Sequence, residues 1–473
     1  RVQRLRALNL TIFFAWCGFG VVGLVLLCLG IKCLCVAQDV AHQGAGVFVR
    51  NYGEEASPRD WPLSPVPVIQ PQSEWRVLER GLAERADLLE AVVADLYGEN
   101  RLVGEGHLPA SLVAANPEWL RPLVGVKPAS GYFLHFLAFE IGRGPDGGWW
   151  VLGDRTQAPS GAGYALENRV ASMRTFSAYY NRANVERLAG FFRAFRDELN
   201  ASRSEAGSRV GSLPPGPLSD TSFEHAYIAR YLGMMLLEGD DLIVENGRLM
   251  VRTVSGTEPI SVLWRRLDSV WADPLELDAA SRLGTPGLLG AVRSGTVTMI
   301  NALGAGVLES RAFLAFLPRL SRVLHGKPLA IPNIATWWCG GADERAHVRD
   351  HAHAMLIGAA NSTRLPLEPD QGAVRKGDMA GTGPDLDAWL EAEGRNLVGQ
   401  ELVSLSTTPT WDKGRLTPRP MRIRVFMART RDGWQLMPGG FARLAASEQA
   451  PSAVPIRSVG SAADVWLVAD TPA

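Results

Sequence analysis

The chain has no Gly-x-x-x-x-Gly-Lys-[Ser/Thr] phosphate loop, no Gly-x-Ser-x-Gly nucleophile elbow and no Gly-x-Gly-x-x-Gly dinucleotide fingerprint. These absences argue against P-loop nucleotidases, α/β-hydrolases and Rossmann dehydrogenases, so any use of ATP must rest on another fold. Charge of one sign is also missing: 48 Lys and Arg against 49 Asp and Glu leave a formal net charge of -1. With no zinc knuckle, recognition helix or basic arm, nucleic acid is not an expected partner. Cysteine is scarce. Cys17, Cys28, Cys33 and Cys35 fall in the first forty residues and Cys339 stands alone. That pattern neither staples a secreted domain nor spaces a zinc site, and it fits a reducing, cytoplasmic compartment. There is no internal repeat.

Hydrophobic residues make up 47% and charged residues 21% of 473 positions, an ordinary globular balance with ample material for a core. The exception is the amino-terminal part. No charge lies between Arg6 and Lys32, and Ile12 to Ile31 is nearly all apolar, long enough for a membrane helix. Residues 10–31 are therefore a candidate anchor, with a buried helix or an aberrant segment as the alternatives. The chain starts at Arg1 rather than Met, so an upstream part is expected. The organisation read from the sequence is an apolar segment 1–48, a helical arm 49–130, and two larger parts, 131–345 and 346–473.

Apolar spacing predicts a helix over Glu74 to Tyr97. Tyr132 to Ile141 and Trp149 to Leu152 read as strands joined by a Gly144-Pro145-Asp146-Gly147 turn. Ala201 to Pro217, rich in Ser, Gly and Pro, reads as a surface loop. Helices are predicted over Ala346 to Ala359 and near Leu386 to Glu393. Strands follow at Leu397 to Val403, Arg422 to Ala428 and Trp434 to Met437. Strands and helices interleave without a regular βαβ rhythm, which predicts an α+β fold of several subdomains.

The densest chemistry lies in Gly153 to Arg169, where a strand ends and polar groups crowd a Pro159-Ser160-Gly161-Ala162-Gly163 turn. Asp154, Glu167 and Asn168 are oxygen donors of the kind Mg²⁺ takes. Arg155 and Arg169 suit phosphate or carboxylate. The bland alternative is a turn cross-linked by its own ion pairs. Arg265-Arg266-Leu267-Asp268 follows an apolar strand, so at least one arginine faces inward and needs an anion, either Asp268 or a ligand phosphate. Arg424 lies in mid-strand and asks for a ligand or a fixed carboxylate. Val398-Gly399-Gln400-Glu401-Leu402 ends a strand with a polar pair. His347, His351 and His353 invite a metal reading, but no glutamate stands where a metalloprotease needs one, and a solvated helix face is preferred. Cys339 has no adjacent base and reads as a buried thiol.

These blocks, taken in order with Glu238-Gly239-Asp240-Asp241-Leu242, Asp273-Pro274-Leu275, Asn301-Ala302-Leu303-Gly304, Ala335-Thr336-Trp337-Trp338-Cys339-Gly340, Leu405-Ser406-Thr407 and Pro438-Gly439-Gly440, resemble the circularly permuted ATP-grasp proteins of type 2. The resemblance covers about Val47 to the end. It implies two α+β subdomains gripping ATP, with the metal half before the adenine half, and relatives among glutathionylspermidine synthetase-like carboxylate–amine ligases. By this resemblance Asp154, then Glu167 and Asn168, would hold Mg²⁺, and the backbone of Gln400, Glu401 and Leu402 would meet adenine. Arg424 would face the phosphates, with Arg155, Arg265 and Asp268 beside the reacting groups. The expected lysine of the adenine half is matched only by Lys376, next to Arg375. Many relatives end in Ser-Lys-Asp-Thr-Trp, where this chain has Ser461-Ala462-Ala463-Asp464-Val465-Trp466. Expected cofactors are ATP and Mg²⁺; expected substrates are a small-molecule or peptide carboxylate and an amine. Family association adds an alpha-E or transglutaminase-like protein as a partner. The alternative is a catalytically inactive descendant that binds nucleotide or peptide in an assembly.

Overall fold

The computed structural model describes residues 63–217, 219, 221–365, 385–412, 414–445 and 459–469, with the backbone of the short strands Phe48–Val49, Arg59–Asp60 and Arg375–Lys376. The candidate anchor at 10–31 lies outside the described residues. Among those described, no helix is long and apolar enough to cross a membrane.

The largest sheet runs in the order Val68–Pro71, Val459–Val468, Gly433–Ala445, Arg415–Thr430, Phe136–Arg143, Trp149–Arg155, with Thr407–Asp412 also paired to Arg415–Thr430. All its pairs are antiparallel except the first. The helix Gln72–Tyr97 matches its predicted span and buries Leu78, Leu82, Leu89, Val93 and Leu96 in the main core. The i, i+4 spacing of these leucines puts them on one face.

A second, mixed sheet is centred on Gly256–Arg265, which pairs in parallel with Arg209–Leu213 and Thr298–Ile300 and antiparallel with Arg248–Thr253. Aromatic rings join the two sheets: the centroid of Phe136 lies 4.9 Å from that of Phe195 and 5.1 Å from that of Trp264. The strand Arg209–Leu213 corrects the surface loop expected over Ala201 to Pro217. Its Arg-Val-Gly-Ser-Leu sequence carries little strand propensity, and pairing with Gly256–Arg265 overrides it.

The third sheet is small and antiparallel, in the order Thr336–Trp338, Leu397–Glu401, Met355–Ala359, Arg375–Lys376. It has its own core of Cys339, Val348, Met355, Ile357, Leu390 and Leu397, with the helices Ala342–Asp350 and Leu386–Glu393 against it. The single helix expected over Ala346 to Ala359 is instead the end of the helix Ala342–Asp350, a 3-10 turn at Ala352–Ala354 and the strand Met355–Ala359. Met355-Leu356-Ile357 is a continuous apolar run, as a strand covered on both faces requires, not a helical stripe. The division expected at 345/346 does not follow the sheets either. Residues 336–401 supply the small sheet, while strands from 407 to 468 return to pair beside Phe136–Arg143.

Candidate functional site

The strand Trp149–Arg155 ends in the loop 156–161, which feeds the helix Ala162–Thr175. Gly161 makes the turn at φ 112°, and a Cβ there would press to 2.7 Å from the Phe441 ring. Only glycine adopts that turn without strain. Three guanidinium groups from two sheets donate to the loop's carbonyls. Arg265 Nη2 reaches Gln157 O at 3.0 Å, Arg266 Nη1 reaches Pro159 O at 2.7 Å, and Arg424 Nη1 reaches Ser160 O at 2.9 Å. From the other side the Glu309 carboxylate accepts the amides of Thr156 (2.7 Å) and Gln157 (2.6 Å) and lies 3.4 Å from Arg155 Nη1. Asn301 Nδ2 donates to Thr156 O at 2.6 Å and to Phe136 O at 2.7 Å. The loop is thus held at nearly every peptide, the condition for aiming side chains at a reacting group.

Arg424 and Arg266 also pair with carboxylates. Arg424 and Glu140 are register partners on adjacent strands, with Arg424 Nε 2.6 Å from Glu140 Oε1. Arg422 Nε lies 3.5 Å from the other oxygen. Burial alone would raise the Glu140 carboxyl; the guanidinium groups of Arg424, Arg422, Arg443 and Arg155 outweigh it and hold the group down at about 2. The fixed carboxylate asked for by a mid-strand arginine is therefore Glu140. Arg266 pairs with the buried Glu224 at 3.3 Å, not with Asp268. Arg265 is fully buried; burial pulls it down to about 10 against the attraction of Asp268, Glu118 and Glu309, so it stays charged at neutral pH.

Glu118 completes this acidic group. Its carboxyl is pushed up to about 7 by burial and then by Asp268 and Glu309, with Arg265 and a Gln157 hydrogen bond pulling the other way. Gln157 Nε2 also lies 3.4 Å from Asp268 Oδ1, and its Oε1 accepts the Ser269 amide at 2.9 Å. Among the described residues no group of three His, Cys, Asp or Glu side chains is set to hold a metal.

The three expected metal donors have different surroundings. Asp154 is clamped by Arg85, with Nε and Nη2 donating to its two oxygens at 2.7 Å each and both side chains fully buried. A guanidinium that close repels a second cation, and this geometry opposes the metal role expected of Asp154. Glu167 hydrogen-bonds Tyr227 across the neighbouring helix Ser222–Leu232 and holds that phenol's proton more tightly, after burial itself. Asn168 is fully buried, and neither its Oδ1 nor its Nδ2 has a hydrogen-bond partner. Arg169 is occupied by Asp464, Nε to Oδ2 2.9 Å.

In the small sheet, Thr336, Gln400, Leu356 and Lys376 form one row across the four strands. Gln400 is buried and donates to Thr336 Oγ1 at 3.2 Å. The amides of Glu401 and Leu402 donate to Ala335 O (3.0 Å) and Ala354 O (2.9 Å), so those two N–H groups are engaged inside the protein. His347, on the helix Ala342–Asp350, stacks at 4.2 Å with His351, which follows that helix; they are half-buried and exposed respectively. The Cys339 thiol is buried and pushed up to about 11 by that burial.

Sequence reasoning missed Arg85, Glu118, Glu140, Glu224 and Glu309. Two carried a signal. Glu140 interrupts the apolar run Phe136-Leu137-Ala138-Phe139, and Arg85 falls on the apolar stripe between Leu82 and Leu89; a charge at either place needs a buried partner.

A large sheet that holds a strand-to-helix loop is joined here to a small antiparallel sheet. The chain belongs to the circularly permuted ATP-grasp type 2 family, whose model matches residues 67–445. An uncharacterised protein of Mycobacterium tuberculosis (strain H37Rv) is 35% identical over 416 residues, 87% of this chain, and the match spans 46% of that relative, just under half its length. An uncharacterised protein of Synechocystis is 29% identical over 437 residues, covering 91% of this chain and 89% of its own. The fold is also similar to that of a glutathione synthetase-like effector from Globodera pallida in its apo form. The TM-score is 0.56 at 12% identity, over 92% of this chain and 96% of that one. The expected α+β, circularly permuted ATP-grasp fold is thus shown.

Proposed function

We propose that the protein is an ATP- and Mg²⁺-dependent carboxylate–amine ligase that forms an amide bond through an acyl phosphate. The observation that carries the reading is Asn168: a buried carboxamide without a protein partner, beside the Glu167 carboxylate, on the helix that leaves the clamped loop. A buried amide is left unpaired at a cost of about 1–3 kcal/mol, which a bound ion would offset. Asn168 Oδ1 and Glu167 are hard oxygen donors and fit Mg²⁺; Asp154, already held by Arg85, does not. Mg²⁺ bound there would neutralise charge on transferring phosphate oxygens.

The chain's own residues supply the rest by position. Arg265, Arg266 and Arg424 keep the loop 156–161 rigid and lend buried positive charge beside it, Arg155 meets the Glu309 carboxylate that braces the loop, and Asp268 orients Gln157. On the adenine side, Lys376 holds a place in the same row as Gln400, which supports Lys376 as the phosphate-binding cation and Gln400, Glu401 and Leu402 as the wall for the base. The substrates would be a small-molecule or peptide carboxylate and an amine.

The engaged Asp154 and the engaged amides of Glu401 and Leu402 favour one second reading, a non-catalytic nucleotide- or peptide-binding component. Release of ADP from ATP and Mg²⁺ in the presence of a pool of small amines and carboxylates separates the two. Turnover above the amine-free rate is expected; nucleotide binding with no turnover against any pool would replace the ligase by the second reading.

A further inference from the structure

The clamp on Asp154 reaches further than the strand it holds. Arg85 Nη1 lies 3.3 Å from Asn333 Oδ1, and Asn333 Nδ2 donates to Leu314 O (3.1 Å) and Ile334 O (3.0 Å). The strap 330–334 runs along the strand Trp149–Arg155: the Val151 amide donates to Pro332 O and the Ile334 amide to Val151 O, each at 2.9 Å. One turn of the helix Gln72–Tyr97 seats this strap. Ile331 packs on Gly81, where a Cβ would come within 2.6 Å of it. The Ala330 amide donates to Glu84 Oε1 at 3.2 Å, and Arg85 takes Asn333. Two residues beyond Ile334 the chain enters Thr336–Trp338, an edge of the small sheet, where Thr336 faces Gln400 in register.

We propose that Arg85 is a positioning residue, a buried pin that joins Asp154 on the loop-bearing strand to Asn333 on the strap and so fixes the small sheet relative to the clamped loop. A fully buried ion pair is weak evidence of stability, because a well-packed apolar pair serves that purpose equally well. What an apolar pair cannot supply is a planar fork with donors in fixed directions to two different elements. Asp154 then acts on the nucleotide through Arg85 and the strap, not as a metal ligand. The pin rests on the ligase reading only in placing ATP between the small sheet and the loop.

The test uses the full chain with two readouts, hydrogen exchange at the Val151 and Ile334 amides and affinity for a non-hydrolysable ATP analogue with and without Mg²⁺. Arg85→Met/Asp154→Leu removes both charges together and avoids a lone buried ion; Arg85→Lys keeps a charge but loses the fork. The double variant is expected to melt near the wild type, exchange at least tenfold faster at Ile334, and bind the analogue several-fold more weakly by the same factor with and without Mg²⁺. Arg85→Lys falls between, and Asp154→Asn shifts affinity without raising the Mg²⁺ concentration needed. Unchanged exchange at Ile334 in the double variant overturns the pin, as does a tenfold higher Mg²⁺ requirement confined to Asp154→Asn. If the wild type binds no analogue, the ligase reading fails, while the exchange arm still decides whether the pin exists.

Discussion

Arg424 and Glu140 face each other across adjacent antiparallel strands, Nε to Oε1 2.6 Å, with the carboxylate fully buried. The pair sits at the join of two networks, because Glu140 also draws on Arg422 and Arg424 also donates to Ser160 O in the clamped loop. Replacing the carboxylate by an amide leaves several guanidinium charges with less buried compensation.

Glu140→Gln should therefore destabilise the protein by about 3–5 kcal/mol at neutral pH. The native group is held down at about 2, so its stabilisation is complete above the ordinary carboxylate range and fades as pH falls from about 4.5 toward 2. Urea titrations at a series of pH values should show the gap between wild type and Glu140→Gln closing over that interval. A gap that stays constant down to pH 2 would mean that the carboxylate's charge is not what the arginines require.

Glu118 has the opposite sign. Its carboxyl, pushed up to about 7, keeps a proton in the folded protein that the unfolded chain has already lost. Stability therefore falls as pH climbs from about 4.5 to about 7 and levels off above. Glu118→Gln abolishes that slope while preserving an amide-sized group beside Gln157. The variant is expected to match the wild type near pH 4 and to exceed it at pH 8 by about 2 kcal/mol, a figure reduced for the group's partial exposure. Thermal melts at the two pH values read this directly; equal differences at both would refute the buried acidic environment.

The contrast between these two glutamates shows what the sequence could and could not convey. Glu140 stands out locally, since a charge amid Phe136-Leu137-Ala138-Phe139 has to be paired. Glu118 lies in an unremarkable stretch after Asn116-Pro117 and becomes special only when Asp268 and Glu309, 150 or more positions away in the chain, fold against it. The same division runs through the fold. The helix Gln72–Tyr97 was readable because its apolar spacing is local, as was Leu386–Glu393. The strand Arg209–Leu213 exists through its partner Gly256–Arg265, and no window of sequence contains both. The Arg265-Arg266 pair and Arg424 were visible as residues that needed an anion; that all three would converge on the carbonyls of a single loop is a tertiary fact.

Asn168 offers the sharpest separation of function from stability. Both polar atoms of its side chain are buried and unpartnered, a situation that costs a folded protein about 1–3 kcal/mol and that natural cores rarely keep without use. Asn168→Leu keeps the branched outline of the side chain and removes the unmet polar groups, a gain of roughly 1–2 kcal/mol that the larger volume of leucine offsets in part, so in the absence of nucleotide the variant should be at least as stable as the wild type. If Asn168 Oδ1 is a Mg²⁺ donor, the same substitution abolishes the Mg²⁺-dependent part of ATP binding, and adding ATP with Mg²⁺ no longer raises the melting temperature as linkage requires of a ligand that binds the native state. Melting curves of wild type and variant, each with and without ATP and Mg²⁺, give all four corners. A variant that is as stable or more stable yet still responds fully to ATP and Mg²⁺ would remove Asn168 from the metal site.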